Sequence, residues 1–400
     1  MNPSRAEDNP SGAFRLGHRR WLDGLRGVAV LTIVAFHCNL GLGGQLAGGF
    51  LGVDLFFVIS GFLITTLLLE EYAASGSIRL GQFYLRRVLR LLPALLVLLA
   101  ALFAWSAIAH PEQLKLLRRE AVVALCFGTN MQGRLHNVTP YHLNFTWSLS
   151  VEEQFYLVWP VVLLVLLQCR ATKPVILILV SAGIVAAAVI RATRFAALPP
   201  PTDPLWLTKL LRVYVAPETR ADGLLCGCLA AVVASWGFRA PSPATCRRLQ
   251  TAALLSIVFL VACFSAVGFA HSISYYGLFT VFALAAATLI VSTIVAPLPP
   301  VCTILESRVL VGAGRISYGL FLFHLPIIRM LGYDRSIGWS HPTEVVIAIS
   351  LSVLAATVSF YAIERPILRL KNRFSHRRVE TSPPSNAEPV TEAPRPRIAA

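Results

Sequence analysis

Two ionisable side chains bracket the otherwise apolar run RGVAVLTIVAFH: Arg26 opens it and His37 closes it. Eleven helical steps of about 100° bring His37 back to nearly the face of Arg26, about 16 Å further along the axis. That spacing puts Arg26 at the edge of a membrane and His37 near its middle. Ionisable groups inside a bilayer cost about 2.5–3.5 kcal/mol each on insertion scales, so they are the first places to look for function. A histidine at that depth is either a neutral general base or a hydrogen-bonded packing residue.

Five further strings carry chemistry-bearing residues. In GGFLGVDLFFVISGFLITTLL (48–68), Asp54 lies early in an apolar stretch, and Gly49, Gly52 and Gly61 allow another helix or a ligand to come close. Ser60 can satisfy its hydroxyl locally, and the whole string also fits simple helix packing. FYLRRVLRLLP (83–93) holds Arg86, Arg87 and Arg90. Their guanidinium forks suit phosphate oxygens, or they anchor the chain to anionic headgroups. TWSLSVEEQFYLVWP (146–160) opens a span with Glu152 and Glu153, about 100° apart on a helix, so one faces a cavity while the other pairs elsewhere. RADGLLCGCLAA (220–231) sets Arg220 and Asp222 at a membrane edge, where a structural Arg–Asp pair is the plain reading. RISYGLFLFHLPI (315–327) buries His324, as a second cavity histidine or a packing one.

The elements that must position these residues are membrane helices. Of the 400 residues, 56% are hydrophobic and only 14% charged, with a mean hydropathy of +0.67. A soluble chain has about 45–50% apolar and about 25% charged residues. A soluble enzyme, a disordered chain and a disulfide-rich secreted module are thereby excluded. Ten segments are apolar enough to cross a bilayer: 27–43, 50–69, 89–109, 147–167, 174–190, 221–236, 250–269, 275–296, 310–331 and 344–363. The shorter stretch 119–130 is a re-entrant or interfacial helix, or part of an eleventh span. The expected fold is an all-α polytopic bundle of about ten transmembrane helices.

The net charge of +15 reads as the positive-inside bias of membrane loops, not as nucleic-acid binding. Arg15, Arg19 and Arg20, then Arg79 to Arg90, Arg170 and Lys173, Arg239 to Arg248, and Arg365 to Arg378 fall on one side, which places both termini in the cytoplasm. The loops 110–146 and 191–220 on the other side are also basic, but longer loops weigh less. Residues 1–20 form a polar tail without the pattern of a cleavable signal. Residues 371–400 are basic, then Pro-rich, with the composition of a disordered cytoplasmic tail and no second globular domain. The eight cysteines include no CxxC pair and read as small apolar residues, with no disulfide framework and no metal site.

Taken in order, these strings resemble the acyltransferase family 3 integral membrane proteins, the O-acetylase group that modifies lipopolysaccharide, peptidoglycan and exopolysaccharide. The family's arginine and histidine, separated by ten intervening residues in the first span, match Arg26 and His37. The Gly-rich stretch to Gly61, the FYLRR string, TWSLxVEEQFY, RxDxLLxGCLLA, ISYxLYLxHxPI and the closing Glu364-Arg365-Pro366 follow in the same order, over residues 21–366. Many members have a histidine directly before TWSL, where this chain has Asn144-Phe145, so no role is carried over there. Many also append a periplasmic hydrolase-like domain, and stand-alone members include enzymes that acylate macrolides.

The resemblance implies a membrane acyltransferase domain over residues 21–370, multi-pass in the inner (plasma) membrane. It implies transfer of an acyl group, usually acetyl, from cytoplasmic acyl-CoA to a hydroxyl of an envelope glycan, lipopolysaccharide or other acceptor. No cofactor is bound, and acyl-CoA is a co-substrate. In that scheme Arg86, Arg87 and Arg90 meet the CoA phosphates. His37 removes the hydroxyl proton or carries the acyl group briefly, with Arg26 on the donor side. Glu152 or Glu153 holds the acceptor or biases His37, and Asp54, Ser60, Arg220, Asp222 and His324 support the cavity. The rival classes are a secondary transporter of a small polar solute, which buried charges would suit, and a non-enzymatic membrane sensor. No repeat of two halves and no paired broken helices favour the transporter.

Overall fold

The computed structural model describes residues 16–39, 46–131, 142–235, 241–332 and 342–369. Most of the expected N-terminal tail and all of the expected tail at 371–400 lie outside the described residues. Among the described residues there are helices and turns and no strand. In chain order they are α1 (Arg20–His37), α2 (Gly52–Ser75), α3 (Leu80–Ala109), α4 (Leu114–Leu125), α5 (Trp147–Gln168), α6 (Lys173–Ala196) and α7 (Trp206–Val215). They continue as α8 (Pro217–Ala234), α9 (Pro243–Ala266), α10 (Phe279–Val295), α11 (Pro299–Leu305), α12 (Arg308–Arg315), α13 (Ser317–Met330) and α14 (Pro342–Ser359).

Among the described residues, seven segments are long and apolar enough to cross a membrane: those centred on α2, α3, α5, α6, α9, α10 and α14. The pair α12–α13, bent by 76° around Ile316, makes an eighth if it is one span. The other two expected segments are also helical, as α1 and α8, but they carry Arg20, Asp23 and Arg26, and Glu218, Arg220 and Asp222. Neither meets the apolar criterion alone; Glu218, Arg220 and Asp222 of α8 each pair with a charge on another helix, and Asp23 of α1 with His18. The stretch 119–130 is largely α4, twelve residues and too short to span. Its Glu120 is buried and accepts the backbone N–H groups of His142 and Leu143.

The apolar faces are turned inside out relative to a soluble protein. Leu157, Ile178, Val258 and Val309 are among the most exposed large side chains, as lipid-facing residues should be. The segment Gly49–Ser75 is buried over 78% of its most apolar stretch and Pro342–Arg369 over only 22%, so α2 is central and α14 peripheral. The closest packing is α2 on α8 and α1 on α12. A Cβ at Gly61 would strike the carbonyl oxygen of Leu224, and one at Gly227 that of Val58. Both helices need glycine at that crossing, where in lipid van der Waals fit is the main attraction. The α2 helix ends where Gly76, at φ +71°, turns left-handed and its N–H closes on the carbonyl of Tyr72.

Candidate active site

Helix α1 runs between two cavities, lining the first with Asp23 and Arg26 and the second with His37. Arg26 lines the first, a cavity of about 310 Å³. His37 lines the second, of about 610 Å³. The eleven-residue spacing therefore separates two chambers. Val53 of α2, Ser148 of α5 and Phe321 of α13 line both, and they form the partition between them.

The first cavity is the arginine chamber. Arg26, Arg87 and Arg90 enter it with His18, Arg19 and Asp23 from the start of the chain and Ser60 from α2. Glu152, Glu153 and Tyr156 enter from α5. Arg87 lies 4.3 Å from the centre of the buried Tyr156 ring, and Tyr156 donates its hydroxyl to Glu152 Oε1 at 2.8 Å. Glu153 is buried beside them, and its Oε1 has no hydrogen-bond partner among the described residues. Both glutamates thus line the arginine chamber and neither lines the His37 chamber. Arg86 does not line it either: its Nη2 lies 3.4 Å from Glu71 Oε2, at the rim, next to Arg79. The chamber-facing stripe of α3 passes through Arg87 and Arg90, one turn apart, and Arg86 is displaced from Arg87 by about 100°.

The second cavity is larger and aromatic. Phe50, Phe145, Trp147, Tyr214, Phe269 and Phe321 form its walls. Thr129, Asn130, Asn144, Thr208, Arg212 and Arg329 supply polar groups, and Arg329 donates to Asn144 Oδ1 at 3.0 Å. Aromatic faces with scattered amides and guanidiniums suit a sugar ring and its hydroxyls. His324 does not line the chamber. It is fully buried behind His37, with its Nε2 3.0 Å from His37 Nδ1. The two histidines that the sequence separates by 287 positions are therefore one pair.

Arg220 and Asp222 do not pair with each other. Residues two apart on a helix face different directions, and each finds a distant partner. Arg220 donates to Asp54 Oδ1 at 2.7 Å, under the rings of Phe279 and Tyr214, whose centres lie 4.2 and 4.8 Å from the guanidinium carbon. Asp222 accepts from Arg191 at 2.7 Å. Arg191 also donates to Thr219 O and to Thr280 Oγ1 and is fully buried. It falls one residue beyond the expected span 174–190, but α6 continues to Ala196 and carries it inside. Trp147 and Tyr214 separate the Asp54–Arg220 pair from the second cavity. Sequence reasoning missed Arg191, Tyr214 and the polar set Thr129, Asn130 and Arg329. The offset of two between Arg220 and Asp222 was the available signal that other partners exist.

Cys38, Cys226, Cys228 and Cys263 are buried in the bundle and form no disulfide. No three His, Cys, Asp or Glu side chains among the described residues are arranged to hold a metal ion.

The family model described as acyltransferase domain matches residues 19–363. Over 359 residues the chain is 34% identical to the peptidoglycan O-acetyltransferase OatA of Listeria monocytogenes, covering 86% of this chain and 55% of that protein. It is 32% identical over 356 residues to the O-acetyltransferase OatA of Staphylococcus aureus, covering 86% of this chain and 56% of that one. It is 30% identical over 377 residues to the putative peptidoglycan O-acetyltransferase YrhL of Bacillus subtilis, with 90% and 57% covered. The chain thus spans a little over half the length of these relatives. No solved structure matches.

Proposed function

The chain belongs to the acyltransferase domain family, matched over residues 19–363, and we propose that it moves an acetyl group from acetyl-CoA to a hydroxyl of a cell-envelope glycan. The observation that carries this is the pair of chambers on one helix, arginines in one and His37 in the other, divided by Val53, Ser148 and Phe321. Arg26, Arg87 and Arg90 bind the CoA phosphates, as guanidiniums do. The thioester reaches past the partition, and the glycan enters from the aromatic side. The hydroxyl oxygen attacks the thioester carbonyl while His37 takes its proton. A C–O ester bond forms, the C–S bond breaks, and the proton passes from His37 to the CoA sulfur. A positioned base contributes about 10²–10⁴ in rate.

The Lys/Arg asymmetry supports a plasma-membrane orientation with both termini and the arginine chamber facing the cytoplasm. Peptidoglycan is the first acceptor to test, since the names of two relatives specify it. Lipopolysaccharide, exopolysaccharide and small hydroxylated metabolites such as macrolides are the comparison set. Purified protein in liposomes should transfer label from radioactive acetyl-CoA to a glycan, and mass spectrometry should place the acetyl on oxygen. His37→Ala should abolish transfer and leave acetyl-CoA binding intact. Full turnover by a folded His37→Ala protein would refute the assignment, and acceptor crossing the membrane without acetylation would return the transporter.

A further inference from the structure

The His37–His324 pair fixes the position of a proton. His324 Nδ1 lies 2.7 Å from the carbonyl oxygen of Phe321 and 3.1 Å from that of Leu320, one turn earlier on α13. A carbonyl oxygen only accepts, so Nδ1 carries the N–H. His324 is fully buried, wedged between the rings of Phe145 and Phe321 at 6.3 and 5.9 Å. Among the described residues, the charged and titratable groups that line the chamber beside His37 are Arg329 on α13 and Arg212 and Tyr214 on α7, and Cys38 follows His37 in the chain. No carboxylate among the described residues lines the chamber to balance an imidazolium, and an uncompensated buried charge is expensive. The neutral ring has one N–H, already placed on Nδ1, so His324 Nε2 is a lone pair. The 3.0 Å contact then requires the proton of His37 to sit on Nδ1.

We propose that His324 is a positioning residue that holds His37 in its Nδ1–H tautomer and so makes Nε2 the basic atom. This rests on the reading of His37 as general base. In the transfer step, Nε2 takes the acceptor's hydroxyl proton while the Nδ1–H bond to His324 remains and stabilises the imidazolium. The proton then leaves from Nε2 to the departing CoA sulfur, and the pair returns to its starting state. Without His324, the ring is free to take the Nε2–H form that imidazole prefers in water, which offers the acceptor a donor instead of a base.

The test uses the full chain, purified with ¹⁵N-labelled histidine, with His37 signals assigned by their loss in His37→Asn. Wild-type His37 should show a protonated Nδ1 and a bare Nε2. His324→Asn keeps the donor to the backbone carbonyls but does not reach His37. It should shift His37 toward Nε2–H and lower kcat on the order of 10²-fold or more, with acetyl-CoA KM unchanged. His324→Gln places an acceptor oxygen where Nε2 was and should restore both the tautomer and most of kcat. The proposal is overturned if wild-type His37 is protonated on Nε2. It is equally overturned if both variants lose activity while the His37 tautomer stays put, which would make His324 a packing residue. A fully active His37→Asn protein would remove the base reading and leave the tautomer measurement standing.

Discussion

Arg86, Arg87 and Arg90 look equivalent in the sequence and are not equivalent in space. Arg87 and Arg90 line the first chamber, whereas Arg86 rests on Glu71 at the rim. A hydrogen bond to a charged group is worth about 1.5–3 kcal/mol, or roughly a tenfold to hundredfold change in affinity. Arg87→Ala and Arg90→Ala should each raise acetyl-CoA KM by that range, and Arg86→Ala by no more than about twofold. Steady-state kinetics with varied donor decides it, and an Arg86→Ala effect equal to the other two would place the phosphates at the rim. Residue types and spacing were enough to single out Arg26, His37 and the basic string. Which of three adjacent arginines faces inward depends on the azimuth of α3 against its neighbours, and no local pattern records that. Tyr156, which supports both Arg87 and Glu152, lies in TWSLSVEEQFYLVWP, where its residue type and spacing do not mark it as a partner for a charge.

At the scale of elements, charge pairing ties the central helices together. Asp54 of α2 and Arg220 of α8 meet at 2.7 Å, and each retains polar atoms without a hydrogen-bond partner among the described residues: Asp54 Oδ2, and Arg220 Nε and Nη1. Removing one member of a buried pair costs about 3–5 kcal/mol, while replacing both with apolar groups is often neutral. Asp54→Leu should therefore lower the unfolding temperature of the detergent-solubilised protein well below that of the Asp54→Leu/Arg220→Met double variant. Equal losses in the two would show that the ion pair contributes nothing across this crossing. The glycines of this region were legible as close-approach positions, since Gly49, Gly52 and Gly61 stand out in an apolar run, although only Gly61 lies at the crossing with α8. Their partners were not legible. That Gly61 meets Leu224, and Gly52 meets Ala29 and Thr32, is a property of the tertiary packing of helices up to 163 positions apart. The spans themselves were readable from hydropathy, because lipid demands continuous apolar helices. The exceptions, α1 and α8, are the two that trade apolarity for functional or paired charges.

The whole molecule poses one question above the rest: whether the two chambers open to opposite sides of the membrane. Acetyl-CoA is a cytoplasmic metabolite and an envelope glycan is assembled outward, so the proposed transfer requires it. Ser60 and Thr208 line the arginine and histidine chambers respectively, on different helices, and neither belongs to the proposed chemistry. Replacing the less buried Cys126, Cys169, Cys246 and Cys302 with serine gives a background with low thiol reactivity, since the remaining cysteines are buried. In that background, Ser60→Cys should react with a charged, membrane-impermeant maleimide in inside-out vesicles and resist it in intact spheroplasts. Thr208→Cys should show the reverse. Acetyl-CoA should protect Ser60→Cys, which shares a chamber with Arg87 and Arg90, and protect Thr208→Cys far less, since only the acetyl end of the donor passes Val53, Ser148 and Phe321. Labelling of both cysteines from the same side would place both substrates on one face. The division of α1 between Arg26 and His37 would then serve depth within a single cleft, and transfer across the membrane would have to be abandoned.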